Sequence, residues 1–116
     1  WFGDPKNQLE IMKRLPQYDI GIIYNFHHSH EQLDTYRSII KQIIPFLWCV
    51  NLNGMKKEGP KIITIGQGNL EKRMIKMLLE KGYKGPFGIL GHVNGEDVEF
   101  TLQKNLTGLQ SLSLTN

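Results

Sequence analysis

The stretch Asp19-Ile20-Gly21-Ile22-Ile23-Tyr24-Asn25-Phe26-His27-His28-Ser29-His30 decides how this chain is read. Its first half, Ile20 to Tyr24, is a short apolar, β-branched run of the kind buried on both faces in a parallel sheet. Its second half holds three of the chain's four histidines within four residues. A parallel α/β fold gathers its chemistry at the carboxyl ends of its strands, and the histidine cluster falls at such an end.

Upstream, residues 6–15 place Leu9, Ile11, Met12 and Leu15 at helical spacing. Asp4 stands as N-cap, Pro5 occupies the first helical position and Pro16 stops the helix. Downstream, Glu31 to Ile44 carries Leu33, Tyr36, Ile39, Ile40, Ile43 and Ile44, an amphipathic helix ended before Pro45. The pattern then repeats. Phe46 to Leu52 reads as a second buried strand, followed by a polar stretch to Pro60 and a short β-branched piece, Lys61 to Ile65. The turn Gly66-Gln67-Gly68-Asn69 leads into a helix over Leu70 to Lys81, with Asn69 as its cap and Gly82 as its left-handed stop. A third strand, Phe87 to Leu90, empties into Gly91-His92-Val93-Asn94-Gly95. The last helix, about Glu96 to Leu109, spaces Val98, Leu102, Leu106 and Leu109 for one buried face.

Strands that alternate with helices, without an Asn-Gly hairpin between two alternating runs, predict a parallel sheet. His27, His28, His30, Asn51, Asn53, Gln67 and His92 then all fall at strand ends or in βα connections, which share one edge of such a sheet. Three β/α units and a leading helix are less than half of a (β/α)8 barrel, which needs about 250 residues. The expected fold is therefore α/β: a partial (β/α)8 TIM barrel made of its last three units, with residues 1–116 as the C-terminal portion. An independent three-layer α/β domain is the alternative, but three parallel strands leave two exposed edges that need further barrel strands or an oligomer partner.

Charge and composition narrow the function classes. Fourteen Lys and Arg against eleven Asp and Glu give a formal net charge of +3, dispersed except at Lys56-Lys57 and Lys72-Arg73. That is no nucleic-acid footprint. No apolar stretch approaches the roughly 20 residues of a membrane span, and no secretory signal pattern opens the chain. It begins with Trp1 rather than Met, so localisation is left open. The single cysteine, Cys49, reads as a buried small hydrophobe and rules out an intrachain disulfide or a cysteine-built zinc site.

The candidate chemistry rests on side-chain type. His28 and His30, two apart at a strand end, project to one side and can chelate a divalent cation. The alternative is that the histidines orient one another and cap the following helix. Asn51 and Asn53 offer amides that donate and accept, which suits sugar hydroxyls and carbonyl oxygens. Asn53, before Gly54, is equally readable as a turn former. Gly66 to Asn69 can cradle an anion with backbone N–H groups, or form a simple tight turn. No pair of carboxylates is poised for acid-base work, because Glu96 and Asp97 read as first-turn helix charges.

At Asn25 to His28, Asn51 to Met55, Ile65 to Gly68 and Gly88 to His92 the chain resembles the xylose-isomerase-like TIM-barrel family, and within it the sugar phosphate isomerase/epimerase-like members. The resemblance implies strands six to eight of the barrel and proton transfer next to a carbonyl, assisted by a divalent metal such as Mn, Mg, Zn or Co. Of the family's ligands His28 is matched; from their place after the strands, His28 and His92 are expected as catalytic groups and His28 and His30 as metal ligands. Asn25, His27, Asn51, Asn53 and Gln67 would hold a small carbohydrate or sugar phosphate. The family's Asp-x-x-His on strand six stands here as Asn25-x-x-His28 and its strand-seven His as Asn51; its strand-eight Glu falls near Gly91 or His92. A non-catalytic carbohydrate-binding barrel is thus the second reading, and a metal-dependent phosphoesterase like the endonuclease branch the third.

Overall fold

The computed structural model describes residues 4–91 and 95–114. Helix α1, Pro5–Arg14, starts as its sequence dictates: the Asp4 side chain accepts from the Lys6 N–H at 2.9 Å and Pro5 sits in the first turn. Lys13 and Arg14 in the last turn complement the helix dipole. Strands β1, Ile22–Asn25, β2, Leu47–Leu52, and β3, Phe87–Ile89, form one parallel sheet in sequence order. Between them run α2, Tyr36–Ile43, and α3, Glu71–Glu80; α4, Val98–Ser111, follows β3. Three parallel strands and four helices thus make an incomplete (β/α) array. Among the described residues no helix is long and apolar enough to cross a membrane.

Both crossover helices cover the same face of the sheet. Ile22, Tyr24, Val50 and Leu52 share one buried cluster with Ile39, Ile40 and Ile43 of α2 and Met74, Ile75 and Leu78 of α3. The Tyr36 hydroxyl donates to the Met74 carbonyl at 2.9 Å and ties α2 to α3. The opposite face is uncovered: Ile23 is 57% exposed, and Asn25, Cys49 and Asn51 are half-buried. The expectation of strands buried on both faces therefore holds for one face only. Cys49 lies on the uncovered side and is not the core residue that its apolar neighbours suggested. A register shift between Ile22 and Ile23, which pair with Leu47 and Cys49, leaves Trp48 unopposed and 53% exposed.

Other departures have local causes. The helix expected over Glu31 to Ile44 is two pieces, a 3-10 helix over Phe26–Thr35 with a kink at Gln32, then α2. The piece Lys61 to Ile65 is no strand; it returns as a clasp in which Gly54 and Ile63 exchange both backbone hydrogen bonds at 2.9 Å. Asn69 does not cap α3. Its side chain accepts from the Lys57 N–H at 3.4 Å, and the α3 N-cap is Leu70. The face of α4 that faces inward carries Thr101 and Asn105, with Leu109 half-buried against the core as its spacing predicts, whereas Val98, Leu102 and Leu106 stand 81%, 45% and 43% exposed. Asn105 explains this orientation, because its Oδ1 accepts from the buried Ile65 N–H at 2.9 Å and an amide that does so must face inward. Gly108 completes the contact, lying so close to the Ile65 carbonyl that a Cβ would overlap it.

Candidate functional site

The carboxyl edge of the sheet carries a row of three residues in register: Asn25 pairs with Asn51, and Asn51 with Gly88. Strand alternation turns this row to the uncovered face. Asn51 Nδ2 donates to Asn25 Oδ1 at 2.8 Å, and Cys49 Sγ approaches Asn51 Oδ1 at 3.8 Å on the same face. Gly88 leaves room for this arrangement, since a Cβ there would overlap Asn51 Oδ1. The result is a joined pair of amides at the rim of an open sheet face, presenting donors and acceptors in fixed positions.

The histidine cluster follows directly and is helical. A 3-10 turn has three residues, so side chains three apart share a side. Exposure obeys that period: Phe26 and Ser29 are buried, His27, His30 and Leu33 half-buried, and His28, Glu31 and Asp34 exposed. Strand geometry would have put His28 and His30 on one side; the 3-10 geometry separates them. The buried row anchors the segment, with the Ser29 hydroxyl hydrogen-bonded to the Tyr24 hydroxyl. Burial drives the Tyr24 pKa well above the ordinary phenol value, so this phenol stays neutral.

Each histidine then has its own surroundings. His30 Nε2 donates to the Lys56 carbonyl at 2.8 Å and pins the loop after β2, while its Nδ1 lies 3.5 Å from Glu31 Oε1. The rings of His27 and His28 meet edge to face at a centroid distance of 4.2 Å. His28 carries the exposed imidazole, on the side shared with Glu31. His92 lies outside the described residues. Among the described residues no three His, Cys, Asp or Glu side chains are grouped to hold a metal ion. The donor set on hand, one exposed imidazole and two amides already bonded to each other, does not by itself make such a site, so a metal would need ligands from beyond these residues.

Asn53 and Gln67 are placed away from the amide row. Asn53 is fully buried and its Nδ2 donates to the carbonyls of Gly54 at 2.9 Å and Lys61 at 2.7 Å, which closes the clasp after β2. Gln67 is exposed on a turn that lines a groove with Phe100 and Thr107 of α4, a groove that none of the described strand-end residues borders. The anion cradle foreseen at Gly66 to Asn69 exists, and the chain fills it itself. The buried Glu71 carboxylate accepts from the N–H groups of Gly66 and Gly68 at 2.9 Å and, more distantly, of Leu70 and Met55 at 3.3 and 3.4 Å. The signal in the sequence was an acidic residue, Glu71, opening a helix directly after the Gly-x-Gly turn. Cys49 and Gly88 were legible from strand alternation, once Asn51 was placed on the site face.

No protein-family model, curated protein or solved structure matches this chain.

Proposed function

We propose that this chain is the last three β/α units of a xylose-isomerase-like barrel that acts on a small carbohydrate or sugar phosphate as an isomerase or epimerase. The observation that carries the reading is the Asn25–Asn51 amide pair at the carboxyl edge of the uncovered sheet face. Parallel sheets are ordinarily covered on both faces. A sheet whose strands run in sequence order, with both crossovers on one face, has its other face where a barrel has its interior. Amides at that rim would hold sugar hydroxyls, and the exposed imidazole of His28, three residues after Asn25, would move the proton. Any assisting divalent metal would take ligands that these residues do not supply.

One observation favours a second reading, in which the barrel binds carbohydrate without turning it over. The positions that carry Asp and His in the resembled family carry amides bonded to each other. Incubation of the protein with ketoses and ketose phosphates in heavy water separates the readings. Exchange of the hydrogen next to the carbonyl, reduced at least about tenfold by His28→Ala, is expected of the isomerase. Binding without exchange sinks the isomerase and leaves the binder, and neither binding nor exchange sinks both.

A further inference from the structure

The chain's excess positive charge is gathered in one groove between α2 and α3. Arg37 stands on the first turn of α2, Lys72, Arg73 and Lys76 on α3, and Lys57 on the loop after β2. The groove consists of two hollows of about 370 and 450 Å³ that share Arg37, Arg73 and Met77 and so run into one another. Only Asp34 and Glu80 oppose the five cations there, an excess equal to the formal net charge of +3 carried by the whole chain. Among the described residues none of the five forms an ion pair. Lys57 and the pair Lys72-Arg73, distant in sequence, become one surface only through the fold.

Cations collected without counter-charges create a potential that recruits anions. Two arginines at the waist, one from each helix, are forks that match planar carboxylates. The groove is also partly apolar: Leu33 and Leu70 are half-buried at its walls and Met74 and Met77 form its base. Methionine is flexible enough to accept varied apolar side chains. Nucleic acid fits less well, because single strands are held by exposed rings and, among the described residues, the one ring here, Tyr36, is buried with its hydroxyl given to Met74. From this charge complementarity we infer that the α2/α3 groove docks an acidic, leucine-bearing segment of a partner protein, with carboxylates on Arg37 and Arg73 and an apolar side chain between them. The inference is independent of the catalytic reading, since the groove contains none of the amide row.

Fluorescence anisotropy with the present chain tests it. The probes are a short Glu-rich peptide carrying leucines, a poly-glutamate peptide of equal charge, and a single-stranded RNA oligomer. The leucine-bearing peptide is expected to bind more tightly than either other probe. Raising salt should weaken it, and Arg37→Glu with Arg73→Glu should weaken it by at least about tenfold. Both arginines are exposed, so the double variant should keep the parent's circular dichroism and melting temperature. If it does not, Arg37→Gln and Arg73→Gln singly provide the same comparison. No peptide binding, binding indifferent to these substitutions, equal binding of poly-glutamate, or preferred binding of RNA each overturns the inference.

Discussion

Asn51 Nδ2 donates to Asn25 Oδ1 across the β1–β2 register at 2.8 Å, so the two amides are not equivalent: one gives and the other receives. Asn25→Asp keeps the acceptor and should leave stability within about 0.5 kcal/mol. Asn51→Asp sets two acceptors against each other at a half-buried position and should cost about 1–3 kcal/mol. Urea unfolding of the two variants checks the direction of the bond, and equal losses would contradict it.

Glu71 closes its own anion nest, and four backbone N–H groups point at its carboxylate. Glu71→Ala strips a buried site of its acceptor and should destabilise the chain by about 3 kcal/mol or more. Glu71→Gln retains one acceptor but turns an amide N–H₂ toward donors, and should fall between the parent and the alanine variant. Hydrogen exchange should show lost protection at Gly66 and Gly68 in both variants. In the parent, inorganic phosphate should leave these amides unshifted, because the nest is occupied by the protein's own carboxylate.

The elements were legible wherever a local rule was unopposed. Asp4-Pro5 capped α1, short apolar runs between helical patterns made the three strands, and the ends of β1 and β2 carried Asn25, His28 and Asn51 to one edge. Reading failed where a long-range partner overrode the local pattern. Periodicity favoured Val98, Leu102 and Leu106 as the inner face of α4, but the Ile65 N–H needed the Asn105 amide and turned the helix the other way. Histidine spacing was interpreted with strand period, yet the Tyr24–Ser29 hydroxyl contact holds that segment as a 3-10 turn of period three. Within the site, Asn25, Asn51 and His28 were foreseen and are brought to one edge. Asn53 and Gln67 were foreseen and lie elsewhere, because sequence shows that a residue sits in a connection but not which way that connection folds.

Tyr24 and Tyr36 set an alkaline limit on stability. Burial raises both phenol pKa values well above the ordinary value of 10.0, and for Tyr36 the neighbouring Tyr24 adds to the effect. The neutral phenol is therefore favoured in the folded chain over the unfolded one. Their contribution is fully present below the unfolded value and is lost as pH rises above about 10 toward the higher folded values. Unfolding midpoints in urea should be flat with respect to these groups near neutrality and fall steeply above about pH 10. Tyr24→Phe removes the bond to Ser29, which lowers stability at neutral pH, and should make the alkaline decline shallower.

The inverted orientation of α4 gives an ordering of variants opposite to the one periodicity suggests. Were Leu102 and Leu106 core residues, truncating either to alanine would cost about 2–5 kcal/mol. They are 45% and 43% exposed, so in this chain each truncation should cost less than about 1 kcal/mol. Asn105→Ala instead orphans the buried Ile65 N–H and should cost about 1–3 kcal/mol. Gly108→Ala drives a Cβ into the Ile65 carbonyl, where backbone cannot yield as a flexible side chain can, and should be at least as damaging. Thermal melts of the four variants decide between the orientations. Leucine truncations more harmful than Asn105→Ala would place the leucine face inward, whereas the reverse order places the Thr101–Asn105–Gly108 face against the turn that Glu71 holds closed.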